Sequence, residues 1–310
     1  MAPDSHSDDA QWEIDSLRER VRLLEGVVDN FPGGISVFDK TLRMVFCNDQ
    51  QKQLLDYSEI LFASGYPVLE EIFRYNARRG EYGPGDVEEH VKLRMDLARQ
   101  QSAHVFERTR PNGTVLEVRG VALKGGGFVT TYLDVTDQRR NQALVAHMAH
   151  HDSLTDLPNR ALFQDRLEQA VALVRRGATI ALFYLDLDHF KPVNDIHGHA
   201  VGDGLLRAVA ERLNKTKRET DTAARLGGDE FALIQTGVSD DDAIVTFANR
   251  LIDTISKPYV ILGTQVTIGA SIGIAVAPRH GADPDELVRK ADAALYRCKA
   301  NGRAGFQLFD

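Results

Sequence analysis

The apolar positions near the start of the chain recur at alternating spacings of three and four. They are Ile14, Leu17, Val21, Leu24, Val28 and Phe31. This period predicts an amphipathic helix over residues 11–31, preceded by a disordered segment over residues 1–10. The apolar seam would either pair with a second copy as a short coiled coil or pack on its own domain, and the spacing favours neither alternative.

From residue 32 to residue 136, short apolar runs alternate with turn residues. Two predicted strands come before a helical segment and three come after it: residues 35–38, 43–46, 102–108, 115–123 and 127–133. This order predicts an α+β domain with an antiparallel sheet. A helix over residues 137–151 would connect this domain to the second half of the chain.

The second half alternates continuous apolar runs with amphipathic helical stretches. We expect one sheet from residues 179–186, 222–235, 259–262 and 266–276, with residues 222–235 forming a hairpin. We expect helices near residues 159–175, 202–215, 240–256 and 284–300 to pack around that sheet.

Acidic residues end two of these predicted strands. Asp186 follows the buried run, and Asp229 and Glu230 follow Gly227-Gly228 at the hairpin tip. If the hairpin pairs beside the buried strand, Asp186 and Asp229 converge, and such oxygen ligands suit Mg²⁺. The alternative for an isolated Gly-Gly-Asp-Glu segment is an acidic surface turn. The sequence shows no Cys/His cluster of the kind that forms a structural zinc site.

Residues 152–310 resemble a GGDEF domain, the catalytic domain of diguanylate cyclases. The motifs that carry the resemblance are Asp152 to Arg160, Asp186 to Lys191, Asn194-Asp195, Gly198 to Asp203, Gly227 to Phe231 and Ala294 to Arg303. The resemblance implies a ferredoxin-like, nucleotide-cyclase type fold that condenses two GTP into cyclic di-GMP with Mg²⁺ or Mn²⁺, releasing two pyrophosphates. A homodimer is expected, because the reaction joins two nucleotides.

The resemblance also assigns roles to individual residues. The implied metal ligands are Asp186, the backbone carbonyl of Leu187, Asp229 and Glu230, and the implied catalytic residues are Asp229 and Glu230. The implied substrate-binding residues are Phe190, Lys191, Asn194, His199, Asp203, Lys299 and Arg303.

Two pairs among these residues have alternatives. Asn194 and Asp203 match guanine-binding positions, and a carboxylate accepts from the N1–H and N2–H donors that adenine lacks; helix capping is the alternative. Lys299 and Arg303, four residues apart, would share one face of the last helix and reach the triphosphate. The alternative for this pair is a solvated basic helix end.

One further motif predicts regulation. Arg218 and Asp221 match the R-x-x-D pattern of the family's inhibitory product site, so the resemblance implies that cyclic di-GMP inhibits the enzyme there. An i, i+3 ion pair on the surface would also explain the pattern.

Residues 32–136 resemble a PAS sensor domain. The segments concerned are Phe31 to Ile35, Arg79 to Gly83 and Asp134 to Thr136. The ligand of this domain is unknown from sequence. Cys47 does not lie in a flavin-reactive motif, and His90 and His104 are more typical of surface or packed residues than of haem ligands.

Composition narrows the function classes. The net charge of −8 argues against nucleic-acid binding, and no apolar stretch is long enough to span a membrane. The two cysteines, Cys47 and Cys298, and the polar start suit a cytoplasmic protein. The alternatives to an active cyclase are a silent GGDEF domain that binds GTP or cyclic di-GMP, and the sensor–cyclase part of a longer protein with a phosphodiesterase domain.

Overall fold

The computed structural model describes the backbone of residues 5–100 and 102–310, and the side chains of residues 11–100 and 102–310. The described chain divides into two compact units, the first ending at Gln142 and the second beginning at Ala143. Within these residues, no helix combines the length and the apolar character needed to cross a membrane.

Helix α1 runs from Ser5 to Asp29. Residues 5–10, predicted to be disordered, therefore belong to the helix, which extends at little cost once nucleated; residues 1–4 lie outside the described residues. The seam side chains Ile14, Leu17, Val21 and Leu24 are 44–62% exposed. This part of the seam therefore does not pack on its own domain, whereas Val28 and Phe31 are half-buried. The coiled-coil alternative remains for the exposed part.

The rest of the first unit is a five-stranded antiparallel sheet with helices packed against it. Its strands are β1 (Gly34–Phe38), β2 (Met44–Cys47), β3 (His104–Thr109), β4 (Val115–Ala122) and β5 (Phe128–Asp134). Its helices are α2 (Asp49–Leu54), a 3₁₀ turn (Glu59–Phe62), α3 (Leu69–Arg78) and α4 (Val87–Arg99). The strand order is β2-β1-β5-β4-β3, so the predicted α+β arrangement is confirmed.

Helix α5 (Thr136–His150) follows β5 directly and confirms the predicted connecting helix. Its first turn is fixed by Asp134, whose carboxylate accepts a hydrogen bond from the Thr136 N–H at 2.9 Å. The Thr136 hydroxyl in turn accepts from the Val115 N–H at 2.8 Å. The helix therefore begins at a defined point on the sheet of the first unit.

The second unit is a five-stranded sheet of order β12-β11-β6-β8-β7, with helices around it. Its strands are β6 (Ile180–Asp188), β7 (Thr222–Gly227), β8 (Glu230–Thr236), β11 (Gly269–Ala277) and β12 (Phe306–Leu308). Its helices are α6 (Arg160–Val174), α7 (Phe190–His197), α8 (His199–Thr216), α9 (Asp241–Ile255) and α10 (Pro284–Ala300). Apolar clusters on both faces of the sheet bury β6 almost completely.

Three details differ from the prediction. Strand β9 (Tyr259–Ile261) pairs with β10 (Thr264–Val266) in a separate two-stranded sheet, because the tight turn between them folds the segment back on itself. Strand β12 was not predicted and pairs in parallel with β11. Helix α7 was also not predicted, and Gly198, at a φ of 83°, separates it from α8.

Candidate active site

The Gly-Gly turn is the tip of the β7–β8 hairpin. Gly227 and Gly228 have φ angles of 143° and 52°, a region that favours glycine. A Cβ atom on either residue would meet nothing within 4 Å, so the backbone here is open to a bound molecule. The turn presents Asp229 just before β8 begins at Glu230.

Pairing of β6 with β8 brings the two acidic segments together, as the sequence predicts. Asp186 lies opposite Glu230 in the antiparallel register. The Leu187 N–H donates to the Asp229 carbonyl at 3.2 Å, which joins the hairpin tip to the end of β6. Asp186, Leu187, Asp229 and Glu230 therefore lie at one edge of the sheet.

The carboxylates at this edge are held in an unfavourable electrostatic environment. Burial raises the pKa of Asp186, and the charges of Asp229 and Asp188 add to this, against an ion pair with Lys299 at 2.6 Å. Burial likewise raises the pKa of Glu230, with repulsion from Asp186 and Asp229 opposed by nearby Arg160. Neighbouring carboxylates whose ionisation is disfavoured are stabilised by a cation, and a set of hard oxygen donors fits a divalent one.

Asp186, Asp229 and Glu230 do not form a tight cluster of potential metal ligands. In the part of the chain that the structure describes, the group of potential metal ligands lying within 4.8 Å of one another is His147, His151 and Asp156. The sequence did not indicate this group. The two imidazole rings stack at 4.1 Å and 9° from parallel, so their lone pairs do not point at one ion. The His147 ring instead forms a 2.6 Å contact with the Asp156 carboxylate.

Asp188 lies two residues after Asp186 on the same strand, but its carboxylate makes structural hydrogen bonds. It is 5% exposed and accepts from the Ser271 hydroxyl at 2.7 Å and the Ala304 N–H at 3.0 Å. Asp188 thereby attaches the segment after α10 to the end of β6. A role for Asp188 could not be predicted from the sequence, because its partners lie far along the chain.

The predicted base-binding residues lie on two adjacent helices. Asn194 is inside α7 and Asp203 is inside α8, so neither is an N-cap and the capping alternative is wrong. A Cβ atom on Gly202 would overlap the Asn194 Oδ1 atom, so only glycine allows this close approach. Asp203 and His199 are exposed, and Asn194 is half-buried.

The remaining predicted substrate residues surround the end of β6. His189, at a φ of 61°, turns the chain from β6 into α7, which begins at Phe190. Phe190 packs against the core, whereas Lys191 is exposed. The first N–H groups of α7 have no partner within the helix and suit an anion.

Lys299 and Arg303 do not share a helix face, which corrects the prediction. Helix α10 ends at Ala300, and Gly302, at a φ of 116°, terminates it in the manner of a C-terminal glycine. Arg303 is exposed in the following turn, at a φ of 63°. The contact of Lys299 with Asp186 was also not predicted.

Arg225 connects the start of the second unit to the hairpin tip. Its Nη1 atom lies 2.8 Å from a carboxylate oxygen of Asp152, and its Nη2 atom donates to the Gly228 carbonyl at 2.8 Å. Despite burial, hydrogen bonds from Thr155 and Arg225 lower the pKa of Asp152. The sequence offered one signal for this contact, since Arg225 lies two residues before the turn glycines.

The predicted product site has one exposed and one buried member. Arg218 is exposed and forms no ion pair with Asp221, so the ion-pair alternative is not observed between these two described residues. Asp221 is 3% exposed, and its two oxygens accept from the backbone N–H groups of Arg218 and Thr236 at 3.0 and 3.4 Å. Asp221 therefore fixes the loop that presents Arg218.

Comparisons with known proteins match the two units of the chain to two different families. A family model described as "Diguanylate cyclase, GGDEF domain" matches residues 149–305, and one described as "PAS fold" matches residues 28–143. The bifunctional diguanylate cyclase/cyclic di-GMP phosphodiesterase MucR of Pseudomonas aeruginosa is 47% identical over 182 residues, covering 58% of this chain and 26% of MucR. Diguanylate cyclase TpbB of Pseudomonas aeruginosa is 35% identical over 237 residues, covering 74% of this chain and 52% of TpbB.

A solved structure is similar to the second half. The coiled coil and GGDEF domain of DgcB from Caulobacter crescentus, in complex with c-di-GMP, is 33% identical with a TM-score of 0.51. The match covers 56% of this chain and 93% of that one. This chain spans between about a quarter and about half of the length of MucR and TpbB. The chain belongs to the diguanylate cyclase GGDEF-domain family, with a PAS fold ahead of its GGDEF domain.

Proposed function

We propose that this protein is a diguanylate cyclase that condenses two GTP molecules into cyclic di-GMP and releases two pyrophosphates. The observation that carries the proposal is the pairing of β6 with β8, which brings Asp186, Asp229 and Glu230 to one edge beside Lys299. The names of MucR and TpbB support it. All three acids are present, which argues against a silent, binding-only domain.

A divalent cation, Mg²⁺ or Mn²⁺, is part of the proposal. Asp186, Asp229, Glu230 and the Leu187 carbonyl would hold it. Bound there, it would neutralise phosphate charge and lower the pKa of the attacking 3′-hydroxyl.

Cationic and N–H groups near this edge would bind the triphosphate. Lys299, which is paired with Asp186, would move to the β- and γ-phosphates. The exposed Arg303 guanidinium would donate paired N–H groups to the phosphate oxygens. Lys191 and the first N–H groups of α7 would complete the phosphate site. Holding the α-phosphate in line with the 3′-hydroxyl of the second GTP would supply much of the rate.

Guanine would bind between α7 and α8. The exposed Asp203 carboxylate can accept from guanine N1–H and N2–H. The Asn194 amide of α7 lies against Gly202, the residue before Asp203. ATP would leave the carboxylate without donors, which costs binding energy. His199, at the start of α8, would contact the same nucleotide.

Each chain would hold one GTP, so the proposed enzyme is a homodimer. The exposed seam of α1 offers a surface for this pairing. The PAS fold would control how the two GGDEF domains meet, through α5.

The first experiment is incubation of the purified chain with GTP and Mg²⁺, with products identified by chromatography and mass. We expect cyclic di-GMP from the wild type and a loss of about 100-fold or more in Asp229→Ala. Asp253→Ala, an exposed acid on α9, is the matched control and should retain activity. Equal activity of wild type and Asp229→Ala would refute the proposed active site. If neither protein made product after removal of bound cyclic di-GMP, a binding-only domain would be favoured.

Product inhibition is expected at Arg218. Because Arg218 is exposed and unpaired among the described residues, its guanidinium is free to bind a guanine edge or phosphate. Arg218→Ala should raise the cyclic di-GMP concentration that halves the rate by about tenfold or more. The comparison is Lys215→Ala, an exposed cation nearby that pairs with Glu211; identical inhibition curves for Arg218→Ala and wild type would refute this role.

A further inference from the structure

The first unit contains a cavity of about 400 Å³ between α3, α4 and the sheet. A volume of this size is typical of small-molecule sites. Most of its wall is apolar. The wall includes Leu69, Ile72, Phe73, Leu93, Val118 and Phe128.

The charged residues in the cavity wall all have the same sign. Arg94 and Arg108 line it, and no Asp or Glu is among the described lining residues. Both guanidinium groups lie near the ring of Tyr82, at 3.4 Å and 5.3 Å from its centroid. An apolar cavity with two cations and no acid in its wall is complementary to an anion.

Arg94 keeps most of its hydrogen-bonding capacity unused. Its Nη1 atom donates to the His90 carbonyl at 3.0 Å and lies 3.3 Å from the His90 Nδ1 atom. No acid among the described residues pairs with Arg94. Burial lowers the pKa of Arg94, and the charge of Arg108 lowers it further. A negative charge in the cavity would stabilise the charged form of Arg94 and so oppose both effects on its pKa.

Arg108 is also incompletely satisfied. Its Nε atom is buried and has no hydrogen-bond partner among the described residues. Its nearest acid, Glu81, lies 3.6 Å away. Glu81 is already engaged by Arg110, with both side chains 3% exposed and 2.8 Å apart. The negative charge of Glu81 is therefore shared, and Arg108 can accept a further anionic partner.

We propose that the PAS fold of this protein binds a small amphipathic carboxylate in this cavity. The carboxylate lies between Arg94 and Arg108, and an aliphatic or aromatic body lies against the apolar wall. A planar carboxylate accepts paired N–H donors from a guanidinium. A neutral molecule would leave half-buried Arg94 without an acidic partner among the described residues and Arg108 with only its shared contact to Glu81. An amine would add a third cation.

Calorimetry with the full chain tests this, using octanoate and decanoate below their micelle concentrations and 1-octanol as the neutral analogue. Two added methylenes should tighten binding about tenfold, because the body is buried in the apolar wall. 1-Octanol should bind at least about tenfold more weakly than octanoate.

The decisive comparison is between two arginines of α4. Arg94→Gln should weaken octanoate binding about tenfold or more, since it removes a charge-assisted hydrogen bond. Arg99→Gln is the matched control, because Arg99 is 63% exposed, pairs with Asp96 and lies outside the cavity wall. Arg108→Gln should weaken binding as Arg94→Gln does, with melting temperatures confirming that all variants fold.

Three outcomes would overturn the proposal. One is equal binding of octanoate and 1-octanol, which would make the site purely apolar. Another is an equal effect of Arg94→Gln and Arg99→Gln. The third is no octanoate binding together with a changed sedimentation coefficient in Arg94→Gln, which would assign the arginines to a contact between copies. Because the readout is binding, none of these outcomes bears on the proposed cyclase activity.

Discussion

Asp186 and Glu230 show how individual residues can oppose stability. Burial raises the pKa of both carboxyl groups above its value in the unfolded chain. Above the folded-state pKa, each group is ionised where charge is disfavoured, so it lowers the free energy of unfolding. This loss disappears as the pH falls through the folded-state pKa towards the unfolded value. Such residues are expected where function, rather than folding, requires a charge.

Glu230→Gln should therefore stabilise the protein while abolishing cyclase activity. We expect a rise in melting temperature of about 1–3 °C at pH 7.5, kept small because Glu230 is partly exposed and screened by water. The gain should shrink towards pH 4.5, where wild-type Glu230 is increasingly protonated. Thermal melting of both proteins at several pH values measures this, with exposed Glu219→Gln as the control; a gain that does not change with pH would contradict the electrostatic explanation.

At the scale of elements, Arg225 joins the β7–β8 hairpin to the beginning of the GGDEF domain. Asp152 follows α5 by two residues, and Arg225 contacts both Asp152 and the Gly228 carbonyl. The Arg225 N–H also donates to the Pro158 carbonyl at 3.0 Å. The position of the hairpin tip, and hence of Asp229, therefore depends on the segment that leads out of α5.

Arg225→Ala should destabilise the protein by about 2–3 kcal/mol, because it leaves the partly buried Asp152 without its counter-charge. It should also lower kcat at least about tenfold by releasing the hairpin tip. Arg225→Lys retains the charge but cannot reach both partners, so it should recover stability more than kcat. Denaturation and steady-state kinetics measure the two effects, and a double-mutant cycle with Asp152→Ala should give a coupling of about 1–3 kcal/mol. Additive effects would show that the contact does not act as a unit.

The sequence predicted the parts of the site that are encoded locally. Local sequence is enough to recognise the turn glycines, the acids after them and the apolar run of β6. The ion pair of Lys299 with Asp186 could not be predicted, because it depends on how α10 packs against β6. Arg303 was placed on the helix because spacing alone does not show that Gly302 ends it. The segment near residues 259–261 has a strand-like composition, but composition does not show which strand it pairs with.

At the scale of the whole molecule, the proposed reaction requires two copies of the chain. Helix α1 carries apolar side chains on its seam that stay exposed within one chain. A seam this short gives weak association by itself, so the GGDEF domains would have to contribute to the dimer. The seam would then set the concentration range over which the enzyme is active.

Val21→Asp should weaken self-association about tenfold or more, because it places a charge in the apolar seam. Leu23→Asp is the matched control, since Leu23 is 68% exposed on the same helix but lies off the seam. Sedimentation measures association, and specific activity should fall on dilution sooner for Val21→Asp than for Leu23→Asp. Equal association of the two variants would exclude the seam from the dimer.

The contact between Gly202 and Asn194 has a consequence for how this domain can evolve. A glycine inside α8 weakens the helix by about 1 kcal/mol relative to alanine, so selection for stability alone would replace it. A methyl group there would overlap the Asn194 Oδ1 atom and lie 3.3 Å from the Phe190 Cζ atom, so the Asn194 amide would have to turn away and the Phe190 ring would have to shift slightly. If Asn194 binds guanine as proposed, alanine at this position would displace a base contact while favouring the helix. Change at this position should then accompany loss of nucleotide preference before any of the proposed catalytic acids changes.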